Sequence, residues 1–194
     1  MGMPATLDHY WTAAELRALP DDEFRHECID GVHIVTPAPR AKHQRALAEL
    51  FVALRGYLEK NPVGEVLFSP ADIELIDGTL VQPDLFVTRH NAAGRNPREW
   101  PEMRALHLAI EVLSPSTARY DRGIKRPFFQ RADVGEYWIV DLDARLIERW
   151  SRDDERPLIA TGALSWTPSG VTEPFTLDVA EMFRSVLDDL GPQA

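Results

Sequence analysis

Two short stretches constrain this chain more than any others. Val81-Gln82-Pro83-Asp84-Leu85-Phe86-Val87 and Leu108-Ala109-Ile110-Glu111-Val112-Leu113 each set one carboxylate on or beside an apolar run of β character. A buried, unpaired carboxylate is costly, so each needs a cation, a proton or several hydrogen-bond donors. A fold that puts the two runs on neighbouring strands makes a place for a hard divalent ion, which takes oxygen ligands. Lys125 follows on an expected helix, and the order Asp, Glu, Lys points to metal-dependent cleavage of a phosphodiester.

Alternate residues of a strand share a face. Leu108, Ile110 and Val112 therefore read as the core face, and His107, Ala109, Glu111 and Leu113 as a mixed face beside a cleft. Asp84 follows Pro83, which marks the start or edge of a strand. Taken alone, Asp84 reads equally as a turn aspartate satisfying local amides. Lys125 has a second reading too, as the i,i+4 partner of Asp121, worth only ~0.3–0.5 kcal/mol. Glu27 alternates with Arg25 and Ile29 and is either a third carboxylate of the site or an exposed strand residue. His43 opens a long helix beside Arg40 and Arg45, where it contacts phosphate or metal, or only its own helix terminus.

The remaining elements follow from period and punctuation. Thr12-Ala13-Ala14-Glu15 fits a capping box that opens a short N-terminal helix. Phe24 to Asp30 and Val32 to Thr36 read as strands around the Asp30-Gly31 hairpin signal. Leu47, Leu50, Phe51, Leu54 and Leu58 recur at helical spacing and predict a helix from Lys42 to Glu59. Strands are expected at Glu65 to Phe68, Asp72 to Ile76, Val81 to Val87 and Leu106 to Leu113, with a surface loop over 89–105. A helix is expected from the Ser114-Pro115-Ser116-Thr117 turn to Ala132, although Pro127 would cost ~3 kcal/mol in its interior. The helix therefore kinks there or begins only near Arg126. Glu136 to Asp141 and Arg145 to Trp150 read as a hairpin, followed by shorter strands and a helix over 178–187. Strands and helices in mixed order predict an α/β or α+β fold, a sheet flanked by helices.

The 194 residues suffice for one domain with a full core, expected over 1–194. Cys28 is the only cysteine, which is compatible with a reducing cytoplasm, the expected location. No signal peptide is expected, and no apolar run approaches the ~20 residues that span a bilayer. The net charge of −10 argues against indiscriminate nucleic-acid binding but not against a nuclease, whose metal ligands are themselves acidic. The basic residues are partly clustered: Arg40, Lys42 and Arg45 in one group, Arg119, Arg122, Lys125, Arg126 and Arg131 in another. Each group reads equally as a solvated helix face. A phosphate-binding glycine loop, a serine-nucleophile elbow and zinc-type Cys/His spacing are all missing.

Six motifs in order carry a specific likeness: Cys28-Ile29-Asp30-Gly31, His43-Gln44-Arg45, Val81-Gln82-Pro83-Asp84, Ile110 through Thr117, Asp121-Arg122-Gly123 with Lys125, and Glu136 through Asp141. Over 24–183 the chain resembles the Uma-type restriction endonuclease family, a branch of the PD-(D/E)XK nuclease superfamily. The resemblance implies a restriction-endonuclease-like core, a central mixed β-sheet with helices on both sides. It implies that Asp84 and Glu111 ligate magnesium or manganese. The superfamily's usual lysine position holds Leu113 here, and the resemblance maps the lysine to Lys125 on the following helix. Glu27 matches an acidic position in the family's first hairpin and His43 its helix histidine. Asp133, Gly135, Phe129 and Pro127 depart from the family's pattern without removing a ligand.

The expected function is metal-assisted hydrolysis of a nucleic acid, with DNA the expected substrate and Asp84, Glu111, Lys125 and Glu27 the catalytic set. Arg40, Lys42, His43, Arg122 and Arg126 are expected to position the strand. Cutting both strands of a duplex favours a homodimer. Two alternatives stay open: a non-catalytic binding protein on a nuclease fold, and a hydrolase of small phosphoesters.

Overall fold

The computed structural model describes residues 9–91 and 94–187. It begins with α1 (Ala13–Arg17), closed by the expected capping box: the Glu15 amide donates to Thr12 Oγ1, and Glu15 Oε2 accepts from the Thr12 amide at 2.8 Å. The hairpin β1 (Arg25–Ile29) and β2 (Val32–Thr36) follows. Its turn has Asp30 at φ 50° and Gly31 at φ 77°, the left-handed pair that a two-residue hairpin loop demands. Next comes α2 (Ala41–Leu58), which buries His43, Ala46, Leu50, Leu54 and Leu58 along one stripe.

The central sheet is built from β3 (Val66–Phe68), β4 (Leu85–Thr88), β5 (Leu106–Val112), β6 (Val134–Asp141), β7 (Leu146–Ser151) and β8 (Leu158–Ala160), paired in that order. Only β5 and β6 run parallel; the other pairs are antiparallel. A parallel pair needs a crossover, and here it is helical: α3 (Ala118–Tyr120), a π turn (Asp121–Lys125) and α4 (Arg126–Arg131). A hairpin of β9 (Ala163–Trp166) and β10 (Phe175–Asp178) leads into α5 (Val179–Val186). The fold is a mixed central sheet with flanking helices, as expected.

Both faces of the sheet are covered. On one, Leu85, Val87, Leu108, Ile110, Val112 and Trp138 pack with Leu50 and Leu54 of α2 and Phe183 of α5. On the other, Phe86, Ala109, Tyr137 and Ile139 pack with Phe128 and Phe129 of α4 and Ile29 of β1. Every residue of β5 is buried, so the face carrying His107, Ala109 and Glu111 packs as a second core and meets the expected cleft only at its Glu111 end. Its apolar pattern is diluted because the strand ends there at polar groups that other elements satisfy. Parallel packing of β5 on β6 is close enough that a Cβ at Gly135 would meet the His107 carbonyl oxygen at 2.6 Å.

Two other expectations change. Asp72 to Ile76 is not a strand; only a bridge between Ile73 and Val81 forms, since the Asp77-Gly78 turn returns the chain at once. The strand expected from Val81 begins at Leu85, because Pro83 cannot donate to a ladder. None of the helices among the described residues is long and apolar enough to cross a membrane.

Candidate active site

Antiparallel pairing of β4 and β5 matches Leu85 with Ile110. Carried back one residue, this register sets Asp84 across from Glu111 on the same face. Both carboxylates reach a pocket of about 210 Å³ that is also lined by Arg25, His43 and Lys125 and walled by the Ser114–Thr117 turn. Three of the four expected catalytic residues, Asp84, Glu111 and Lys125, thus meet at the pocket from the lead-in to β4, β5 and the crossover; Glu27 of β1 does not line it and lies behind, against Lys125.

The crossover explains how Lys125 arrives. The amide of Arg126 donates to the Asp121 carbonyl five residues back, one residue wider than in an α-helix. Pro127 follows at the start of α4, where its missing amide costs nothing. In a regular α-helix its ring would crowd the carbonyl of Gly123, and the wider turn relieves that clash. The α-helix that carries Pro127 begins at Arg126, as one of the two expectations had it, but the chain before it is already helical. Across the wide turn Asp121 and Lys125, four residues apart, lie on the same inward side, both buried.

Lys125 Nζ then sits among carboxylates: Glu27 Oε2 at 2.6 Å, Glu111 Oε1 at 2.8 Å and Asp121 Oδ1 at 3.8 Å. Glu27 is only 1% exposed, and its Oε1 accepts the Gln82 amide at 2.9 Å. Asp84 is satisfied separately. Its Oδ1 accepts from Arg25 at 2.8 Å; its Oδ2 lies 2.9 Å from His43 Nε2 and accepts the Val112 amide at 2.9 Å.

The charges follow from these contacts. Burial pushes the Asp84 carboxyl up, but His43, the Arg25 guanidinium and the Val112 amide outweigh it and hold the group well below the usual carboxylate range. Burial pushes Glu111 well above that range; Lys125 opposes the rise, while Asp84, Asp121 and Glu27 add to it. Asp121 is raised to about 6, again chiefly by burial. Burial alone would lower the Lys125 ammonium, but Glu111, Glu27 and Asp121 reverse the sign and keep it charged. Glu111 is therefore the carboxyl whose ionisation the pocket opposes most, and a proton or a further cation is needed beside it.

Whether the donor set suits a divalent ion can be judged from these groups. Carboxylate oxygens are the right chemistry for magnesium or manganese, and a cation beside Glu111 would oppose the rise that burial imposes on it. Asp121 Oδ1 is buried without a hydrogen-bond partner. Among the described residues, however, His, Cys, Asp and Glu side chains do not converge in threes in a geometry ready for a metal. Lys125, Arg25 and His43 engage the carboxylates instead.

The expected strand-positioning residues divide. Arg40 is exposed at the pocket mouth, and Lys42 lines the same rim while pairing with Asp143 at 2.7 Å. His43 lies inside, on the buried stripe of α2. Arg122 and Arg126 do not line the pocket. Arg122 Nε donates to Glu148 at 2.8 Å and its Nη2 to Asp141 at 3.0 Å. Arg126 lies over the Trp150 ring, 4.7 Å from its centroid, and donates to Gln130. Two residues were not assigned to the site from sequence: Arg25, which lines the pocket, and Asp121, which lies behind it near Lys125. Arg25 shares its strand face with Glu27, a usable signal; Asp121 was visible only as a partner of Lys125.

The fold is similar to that of a solved structure from Anabaena variabilis, titled a "putative nuclease belonging to DUF820". The two are 19% identical with a TM-score of 0.71 over 90% of this chain and 98% of that one. The chain matches no curated protein. A family model described as "Putative restriction endonuclease" matches residues 13–180, and the chain belongs to that family, Uma2.

Proposed function

We propose that this protein is an endonuclease that hydrolyses phosphodiester bonds of nucleic acid, with DNA as substrate and a divalent ion, magnesium or manganese, held by Asp84 and Glu111. The observation that carries the reading is the meeting of Asp84, Glu111 and Lys125 at one solvent-reaching pocket. Bound there, the ion would polarise a phosphate oxygen and lower the pKa of a coordinated water.

The chain's own groups have separable tasks. His43 and Arg25 keep Asp84 ionised and aimed, so it stays available as an oxygen donor. Glu27 and Asp121 keep Lys125 charged. A lysine so held cannot serve as a general base at neutral pH. It acts as a fixed donor to negative charge growing on the phosphate in the transition state. Arg40, exposed at the mouth, and Lys42 beside it would hold the strand by its backbone phosphates. A duplex cut needs two such sites, so a homodimer belongs to this reading.

One observation favours a second reading. Every carboxylate of the site already touches a protein cation or a buried donor, an arrangement that also suits a binding protein on a nuclease scaffold. Calorimetric titration of manganese into wild type and Glu111→Gln separates the two, run beside cleavage of supercoiled DNA and of RNA. Binding and cleavage that both disappear in the variant support the endonuclease. No binding and no cleavage in wild type would sink it in favour of the scaffold.

A further inference from the structure

A groove of about 490 Å³ runs between α2 and β3, next to the carboxylate pocket. Its walls are Leu47, Phe51, Val52, Phe68, Pro70 and Leu85. Two of these are conspicuously open to solvent, Phe68 at 57% and Val52 at 69%. Phe51 and Phe68 meet edge to face with ring centroids 5.5 Å apart, so the Phe68 ring is held in place while one face stays available. Gln44 stands exposed at the rim, carrying an amide that can both donate and accept.

The groove is not isolated. Arg25, Pro39, His43 and Asp84 line both it and the carboxylate pocket. The wall bearing Phe68 is tied to the same carboxylate backbone: the Ser69 amide donates to the Asp84 carbonyl at 3.2 Å, and Ser69 Oγ to the Pro83 carbonyl at 2.6 Å. A group seated in the groove is therefore directly beside whatever sits at Asp84. An apolar slot with a fixed aromatic face, one amide and an adjoining phosphate-handling pocket matches a nucleotide, whose base stacks while its phosphate points to the acids.

We propose that the groove between α2 and β3 is a nucleobase subsite that takes one unstacked base of the strand whose phosphate lies at Asp84 and Glu111. The assignment rests on the nuclease reading. It narrows the substrate class to strands whose base is free to leave the stack: single strands, frayed ends or flipped nucleotides. Phe68 supplies the stacking face and Gln44 reads the base edge, where an amide is best matched by adenine.

The test uses the full chain carrying Glu111→Gln, so that a bound strand is not cut, and end-labelled short single-stranded DNA. One probe is intact; in the others one base at a time is replaced by an abasic unit. Fluorescence anisotropy gives the affinities, sedimentation velocity gives the oligomeric state, and wild-type cleavage of the intact probe is followed in parallel. Adding Phe68→Ala, or separately Gln44→Ala, should weaken binding of the intact probe, roughly tenfold or more for Phe68. One abasic probe should bind more weakly to the parent by a similar factor, and Phe68→Ala should weaken that probe no further. Equal binding of intact and all abasic probes overturns the subsite, and does so alone if wild type still cuts. Base-dependent binding without any cleavage upholds the subsite and removes the nuclease reading. A dimer that becomes a monomer in Phe68→Ala would identify the groove as a contact between copies and overturn the proposal.

Discussion

Lys125 Nζ and Glu27 Oε2 lie 2.6 Å apart, joining the π turn of the crossover to the first strand of the chain. Both groups are nearly inaccessible to solvent, so the contact is made out of reach of bulk water.

Replacing Lys125 with Met should therefore be costly. It leaves Glu27, Glu111 and Asp121 without their shared cation, and stranding buried charge in this way costs about 3–5 kcal/mol. Urea unfolding at pH 7 measures the loss. The deficit should shrink as pH falls toward 5, because the uncompensated carboxylates take up protons more readily in the folded state than in the unfolded one. A variant as stable as wild type at pH 7 would contradict the central role of this ammonium.

Asp121 gives a pH dependence of defined sign. Its folded pKa of about 6 lies above its ordinary 3.8, so the folded state binds the proton more tightly. Its ionisation therefore destabilises the fold above pH 6, and the penalty fades as pH falls from 6 toward 4. Asp121→Asn should be more stable than wild type at pH 8 by about 1–3 kcal/mol, with the two curves converging near pH 4. Asp84 is shifted the opposite way: its stabilising contribution is present above pH 4 and is lost in more acid solution.

Arg25 should matter through Asp84. Arg25→Gln removes a charged donor from a nearly buried carboxylate and should cost about 1.5–3 kcal/mol at pH 7. The acid limb of the stability curve should move to higher pH, since Asp84 would protonate earlier. Circular dichroism followed across an acid titration would show whether that limb moves.

Arg40 and Arg122 should behave differently toward nucleic acid. Arg40 stands open at the pocket mouth, so Arg40→Ala should reduce the salt slope of DNA affinity by about one. Arg122 is committed to Glu148 and Asp141, so Arg122→Ala should leave that slope unchanged and lower thermal stability instead. A reversed pattern in salt-dependent binding curves would place the strand on the other side of the molecule.

Asp84, Glu111, Glu27 and Lys125 were legible because charge inside an apolar pattern violates the usual cost of burial and demands a reason. The hairpin at Asp30-Gly31 and the capping box at Thr12 were legible because their geometry depends on a few adjacent residues. What stayed hidden depends on distant partners. Arg122 and Arg126 look like solvated basic residues until the hairpin of β6 and β7 supplies Asp141, Glu148 and Trp150. The second core behind Glu111 depends on Phe128 and Phe129, which only the crossover brings back onto the sheet. Asp121 was legible only as the i,i+4 partner of Lys125; its place in a buried charge cluster depends on Glu27 and Glu111, which other strands bring to the same lysine.

The π turn ties activity to an indel. Taking one residue out of Asp121–Lys125 would close the wide turn into an ordinary α-helical ladder and leave α4 almost where it is, because a wide turn is what absorbs one extra residue. Lys125 and Asp121 would stand three apart instead of four, still neighbours on the helix surface, but Pro127 would again crowd the preceding turn. A single-codon deletion at exposed Gly123 would thus set the Pro127 clash against the seat of Lys125 while leaving every charged side chain in the sequence. Single-residue gaps in this helix are where active and inactive relatives should part.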